Sequence, residues 1–447
     1  MRGFRRTTGP RTRKSLVKDI PYSQKSYSLA EPNSMIKNII PKRIFNLIAP
    51  AYHGSWAYLG AILYGFPSHN LKVIGVTGTK GKSSIVYLAG KILEEAGHKK
   101  VATLGSMGFR IGERGWPNVL KMTMPGRFEI HRHMAQAKKA GCEFFIMEVT
   151  SEGIKQNRHL GINFDCVLFS GLHKEHIESH GSFENYYRAK QELFKVASNV
   201  HILNADDPHV GLFGDFTAKK KITYGVERGD IRAEKLELRA DGASFECYGT
   251  KFNIHLTGKF NVSNCLGALA IAAMYDVDLP SSAPVLEKIN SISGRMEFIQ
   301  REPFAVVVDY AHTPDSLREV YKTLKTENHK LICVLGSCGG GRDKWKRSEF
   351  GKIANEFCDQ IFLTNEDPYD ENENAIIEDI KRGIDKTKNV QIVVDRKDAI
   401  RQAIRSAEFG DVVIITGKGS EITMALKDGK KIAWSDKDIA RETLNNR

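Results

Sequence analysis

The stretch GVTGTKGKSS, Gly75–Ser84, constrains this chain more than any other. Leu71–Val76 reads as a short buried strand. From Ser83 to Gly97 the apolar residues Ile85, Leu88, Ala89, Ile92, Leu93 and Ala96 recur at helical spacing. A strand that turns through a Gly-rich loop into a helix is the frame of a phosphate cradle. Gly78 and Gly81 let backbone N–H groups converge on phosphate oxygens, Lys82 offsets their charge, and the Ser83 hydroxyl is placed to hold Mg2+. The commonest form of the motif puts its first glycine where this chain has Val76. The physics survives, because the chain has glycines at 78 and 81 instead.

Strand-like and helical runs alternate after the cradle: VATLGS, a helix from about Glu129, EFFIMEV, DCVLFSG, a helix around Tyr186–Val196, and VHILNAD. Such alternation predicts an α/β fold with a mostly parallel sheet covered by helices. Ile222–Thr257 breaks the rhythm with short alternating segments, the mark of a small antiparallel patch. A second alternating series starts near Arg295 and predicts a doubly wound α/β C-terminal domain. Its Gly339, Gly340 and Gly341 do not form a GxGxxG frame, so no dinucleotide site is assigned. The expected division is a basic tail (1–40), a short helical segment (41–70), an ATP-binding central domain (71–294) and a C-terminal domain (295–447), in keeping with 447 residues at about 150 per domain.

The net charge of +13 is uneven. The first forty residues carry nine Lys or Arg against Asp19 and Glu31, which predicts a solvated tail that brushes anionic lipid or polyphosphate. An organelle transit peptide is the weaker alternative. No basic stripe is interleaved with aromatics, so nucleic acid is not an expected partner. Ile44–Leu71 carries no charged residue but is interrupted by Asn, Gly, Pro, His and Ser; WAYLGAILYGF reads as a buried or interfacial helix in preference to a membrane span. Seven cysteines without a CxxC pair suggest free thiols in a reducing compartment.

Glu148 ends a buried strand, where a carboxylate is costly unless it meets a cation, and in a P-loop protein that cation is usually Mg2+. GLHKEHIESHG follows, with His173, His176 and His180. Their spacing admits zinc, but no cysteine or acidic set completes such a site; one histidine is expected beside magnesium and the other two as polar loop residues. Lys190 lies in a helix among core-like neighbours, and by itself would be read as solvated.

The series GVTGTKGKSS, MEVTSEG, FDCVLFSGLHKEHIESHGSFENYYRAKQELF, NADD, GKFNVSNCLGALA, SGRME, VDYAHTPDSL, GSCGGGRDKWKR, TNEDP and ITGKGSE resembles the Mur ligases in family order, from about Trp56 to the C-terminus. It is most similar to the branch that adds the third amino acid of the peptidoglycan stem. The resemblance implies that ATP phosphorylates a carboxylate, that an amine attacks the acyl phosphate, and that Mg2+ assists. It implies catalytic roles for Lys82, His176, Lys190 and Arg295. It places ATP on Gly78, Thr79, Lys80, Gly81, Lys82, Ser83, Ser84, Asn264, Arg295, Asp309 and His312. Magnesium falls to Ser83, Glu148, His176 and Lys190, the last as a CO2-derived carbamate, and substrate to Thr123, Ser151, Arg158, Arg342, Asp367, Gly417 and Glu421. The implied partners are a UDP-linked muramyl peptide and an amino acid, and the implied enzyme is a cytoplasmic monomer. A folylpolyglutamate synthetase-like ligase and a non-ligase nucleotide-binding subunit are the alternatives.

Departures accompany the likeness. Lys80 replaces the usual Asn, Glu152 a His and Ser420 the His of GKGHE, and only about seventy residues precede the cradle strand where a uridine-binding domain is usual. Members that add diaminopimelate have Asp-Asn-Pro-Arg where this chain has Glu366-Asp367-Pro368-Tyr369. With no guanidinium for a second carboxylate and an added acid at Asp367, lysine or another diamine is expected over diaminopimelate, and Arg342 is expected to hold the α-carboxylate.

Overall fold

The computed structural model describes residues 42–119, 121–175, 177–341 and 343–447, so the basic tail, His176 and Arg342 lie outside the described residues. The chain divides into two compact units. Met1–Tyr52 is described only from Lys42, where a helix begins, and His53–Arg447 carries everything that follows.

A nine-stranded sheet is built from β1 (Lys72–Thr77), β2 (Val101–Gly105), β3 (Gly108–Ile111), β4 (Arg114–Trp116), β5 (Phe144–Glu148), β6 (Phe164–Phe169), β7 (Val200–Asn204), β8 (Lys220–Gly225) and β9 (Ile231–Arg232). The spatial order is β4-β3-β2-β5-β1-β6-β7-β8-β9, with only the β2–β3 and β3–β4 pairings antiparallel. β1 sits between β5 and β6, and successive residues face opposite sides: Ile74 and Val76 join a core under the Lys82–Glu95 and Lys259–Ala273 helices, while Val73 packs with Ile130 and Phe194 of the Arg127–Lys139 and Phe183–Val196 helices. Helices on both faces explain why β1, β2 and β5 are nearly continuous apolar runs.

The antiparallel patch is smaller than its sequence suggested. β8 and β9 extend the main sheet in parallel register, Val200 opposite Lys220, and only β10 (Glu234–Arg239), β11 (Gly242–Cys247) and β12 (Thr250–Ile254) form the antiparallel sheet. A second large sheet comprises β13 (Glu297–Gln300), β14 (Ala305–Asp309), β15 (Leu331–Leu335), β16 (Gln360–Leu363), β17 (Asn389–Ile392) and β18 (Val412–Thr416). Its order is β13-β14-β18-β15-β16-β17, parallel except for β13, with apolar clusters on both faces. Arg396 and Asp436, both fully buried, pair through two nitrogens beneath it.

The Lys42–Leu63 helix buries Ala57 and Ala61 and exposes Tyr58, Leu59, Ile62 and Leu63, so the expected helix is buried on one side only. Among the described residues no helix is long and apolar enough to cross a membrane. Cys142, Cys166, Cys247 and Cys265 are buried thiols, as expected; Cys333 and Cys358 form a disulfide, which the expectation of free thiols missed.

Candidate active site

The loop after β1 closes around its own backbone. Gly78 has φ +146° and Gly81 φ +80°; a Cβ at Gly78 would lie 2.1 Å from Ser170 Oγ, and one at Gly81 2.5 Å from Asn264 Oδ1. The Gly78 carbonyl accepts from two lysine amines, Lys82 Nζ and Lys190 Nζ, each at 2.9 Å, and Lys82 also donates to the Thr79 carbonyl at 2.8 Å. Burial holds the Lys82 amine below its usual range although Glu148 and Glu175 pull it up; burial, reinforced by Lys82, drives Lys190 well below. Thr79 Oγ1 lies 2.8 Å from the Tyr186 hydroxyl and accepts from the His173 backbone at 2.9 Å. Ser84 is buried in the first turn of the helix.

Ser83 and Glu148 meet through Ser106. Ser83 Oγ is 2.7 Å from Ser106 Oγ, which donates to Glu148 Oε1 at 2.9 Å; the Ser106 N–H donates to the same oxygen at 2.7 Å. A Cβ on Gly105 would stand 2.2 Å from Glu148 Oε1, so that glycine makes room for the carboxylate. Hydroxyl and carboxylate oxygens gathered beside a phosphate cradle are the hard donors that suit Mg2+.

The second sheet reaches this cluster. Arg295, ahead of β13, donates to Ser83 Oγ at 2.9 Å and lies over the Tyr310 ring. Both Asp309 oxygens are held by backbone, from Met296 at 2.7 Å and Ala311 at 2.6 Å, and burial raises its carboxyl. His312 Nε2 stands 3.2 Å from Glu175, and Lys80 4.0 Å from Asp315, which also meets His173 at 3.2 Å.

Among the expected substrate residues, Arg158 donates to the Met124 carbonyl and to Gln156, steadying the loop that carries half-buried Thr123. Ser151 Oγ lies 3.1 Å from His180 Nε2; both are buried, so His180 is not the polar loop residue expected. Gly417, φ +109°, admits Glu366, whose oxygen would be 1.9 Å from a Cβ there. Asp367 accepts from Lys121 at 2.7 Å, Lys418 at 2.7 Å and the Ala425 N–H at 2.6 Å. The added acid at Asp367 is thus already paired with two lysines. Glu421 shares both, at 3.2 Å from Lys121 and 2.5 Å from Lys418.

Two groups of expected residues thus come together, one around Gly78–Ser84, Glu148, Lys190, Asn264 and Arg295, the other around Asp367, Gly417 and Glu421. Ser106, Glu175, Lys121 and Lys418 were missed. Glu175 lies between two histidines already noted and Lys418 inside ITGKGSE, so both could have been found; nothing in their surroundings marks Ser106 or Lys121.

Residues 76–272 match the Mur ligase middle domain and 294–419 the Mur ligase glutamate ligase domain. UDP-N-acetylmuramoyl-L-alanyl-D-glutamate--2,6-diaminopimelate ligase of Halalkalibacterium halodurans is 36% identical over 402 residues, 88% of this chain and 82% of that one. A solved structure of an enzyme with the same name is 30% identical, with a TM-score of 0.58 over 84% of this chain and 78% of that one. Folylpolyglutamate synthase of Mycobacterium tuberculosis shares the fold, with a TM-score of 0.67 at 16% identity over 88% of this chain and 95% of that one. The chain belongs to the Mur ligase family, ATP- and Mg2+-dependent enzymes that join an acid to an amino acid.

Proposed function

We propose that this chain joins a diamino acid to UDP-N-acetylmuramoyl-L-alanyl-D-glutamate, the acid in the names of its relatives, and so adds the third residue of a peptidoglycan precursor. What carries the reading is the bridging of the two sheets at both clusters, by Arg295 to Ser83 and by Lys121 to Asp367, which supports a phosphate site and an amino-acid site acting together.

In this reading ATP lies on Gly78–Ser84, with Asn264 at the adenine, Asp309 at the ribose and His312 nearby. Lys82 and Arg295 face the transferring phosphoryl group and offset its charge as the substrate carboxylate attacks phosphorus and ADP leaves. Ser83, Glu148, His176 and Lys190 would hold Mg2+, which supplies further charge compensation there. Lys190 serves as a carbamate: its amine bonds to the carbon of CO2, releases one proton and acquires a carboxylate. Thr123, Ser151 and Arg158 position the muramyl peptide, while Arg342 receives the α-carboxylate of the incoming amino acid and Gly417 lines its site. Its amine then attacks the acyl phosphate carbonyl, and loss of phosphate and a proton leaves the amide. The expected lysine preference rested on Tyr369 standing where an arginine would be and on the added acid at Asp367; two lysines offset that acid, which weakens the second ground and leaves the first. The enzyme acts as a monomer in the cytoplasm, and the basic tail touches anionic surfaces weakly.

Release of ADP with each component omitted in turn tests the reading. ADP should appear at the full rate only with acid, diamino acid and Mg2+ together; equal rates without the muramyl dipeptide overturn it.

A further inference from the structure

Lys121, Asp367, Lys418 and Glu421 form a ring of alternating charge. Lys121 comes from the loop between β4 and the Arg127–Lys139 helix, and the other three from the loops after β16 and β18. Lys418 is fully buried and spends its three N–H donors on Asp367 Oδ2 at 2.7 Å, Glu421 Oε2 at 2.5 Å and the Thr423 carbonyl at 2.8 Å. Asp367 is filled by two lysines and a backbone N–H. Lys121 meets only Asp367 and Glu421 among the described residues, which leaves it one N–H. Among the described residues Glu421 Oε1 meets only the Tyr310 hydroxyl, at 3.4 Å, and Glu421 is the most exposed of the four side chains at 23%.

The ring is neutral, two ammonium groups against two carboxylates, so it attracts neither net charge. What it offers a ligand is one donor on a cation beside one acceptor on an anion. An amino-acid head group, ammonium and carboxylate on the same carbon, matches that offer; the bare ammonium that ends a lysine side chain uses half of it.

We propose that Lys121 is a specificity-determining residue for the incoming amino acid, receiving the far carboxylate of a diamino dicarboxylic acid such as diaminopimelate while Glu421 takes the ammonium on the same carbon. This rests on the ligase reading above. Lys121 supplies, from across the gap between the two sheets, the cation that Tyr369 does not provide from Glu366-Asp367-Pro368-Tyr369. A charge-assisted hydrogen bond of this kind is worth roughly ten- to a hundredfold in discrimination.

The test compares kcat/KM for meso-diaminopimelate and L-lysine, with ATP and the UDP-muramyl dipeptide, in the wild type, Lys121→Met and Lys121→Arg. The wild type should prefer diaminopimelate at least about tenfold. Lys121→Met should lower kcat/KM for diaminopimelate roughly ten- to a hundredfold more than it lowers the value for lysine, chiefly through KM. Lys121→Arg, which keeps the charge and the donors, should retain the preference and serves if the methionine variant fails to fold. Equal losses for both amino acids, a wild type that prefers lysine, or an arginine variant without the preference overturns the role of Lys121. No amide from either amino acid in the wild type would strike the ligase reading itself.

Discussion

Replacing Lys190 separates its chemical role from its structural one. The side chain is 2% exposed, donates to the Gly78 carbonyl at 2.9 Å and lies over the Tyr186 ring. Lys190→Ala removes three buried methylenes, at about 0.8 kcal/mol each, and a hydrogen bond worth about 1 kcal/mol. Relief from burying an amine beside Lys82 offsets part of this, so the variant should be roughly 2–3 kcal/mol less stable. Lys190→Met keeps most of the stem and should lose about 1 kcal/mol. If Lys190 carries a carbamate that holds Mg2+, both variants should lose more than about a hundredfold in kcat, beyond the range for groups that only support a metal ligand. Denaturant melts and steady-state ADP release measure the two effects separately. Acetate or formate should restore part of the activity of Lys190→Ala, where the stem has left space, and little in Lys190→Met, where it has not. A methionine variant within about threefold of wild type, or a loss that follows the unfolded fraction, would refute the reasoning.

Two further outcomes follow from local geometry. Gly78→Ala puts a Cβ 2.1 Å from Ser170 Oγ and 2.9 Å from the Gly171 carbonyl at a φ few L-residues adopt, so nucleotide affinity should fall at least about tenfold; unchanged ATP binding by calorimetry would contradict the cradle. Burial holds the imidazoles of His131 and His159 near about 4, below the ordinary value of about 6.5, so both are neutral in the folded chain and bind protons first when it unfolds. Stability should therefore be intact above pH about 6.5 and fall towards pH 4, by up to roughly 3 kcal/mol for each histidine; a His131→Gln melt as acid-sensitive as wild type would contradict this.

What the sequence disclosed follows the range of the interactions concerned. The β1–loop–helix unit was legible because its strand, glycines and helical periodicity are contiguous. The parallel pairing of β8 with β7 was not: Lys220 and Val200 pair across a connection that also holds a short helix, and the alternation in 222–257 is equally compatible with a hairpin. The partners of Asp367 were illegible for the same reason: Lys418 and Lys121 lie 51 and 246 positions away. The polar segment around His180 reads as a loop; burial against Ser151, 29 positions earlier, depends on how two helices pack.

Mass spectrometry of the purified chain's product tests the central claim most directly. With ATP, Mg2+, UDP-N-acetylmuramoyl-L-alanyl-D-glutamate and a diamino acid, the account predicts one new species whose mass is the sum of acid and amino acid less one water, formed one for one with ADP. An unchanged muramyl dipeptide while ADP accumulates, or extension of a folate and not of the muramyl dipeptide under the same conditions, would contradict it.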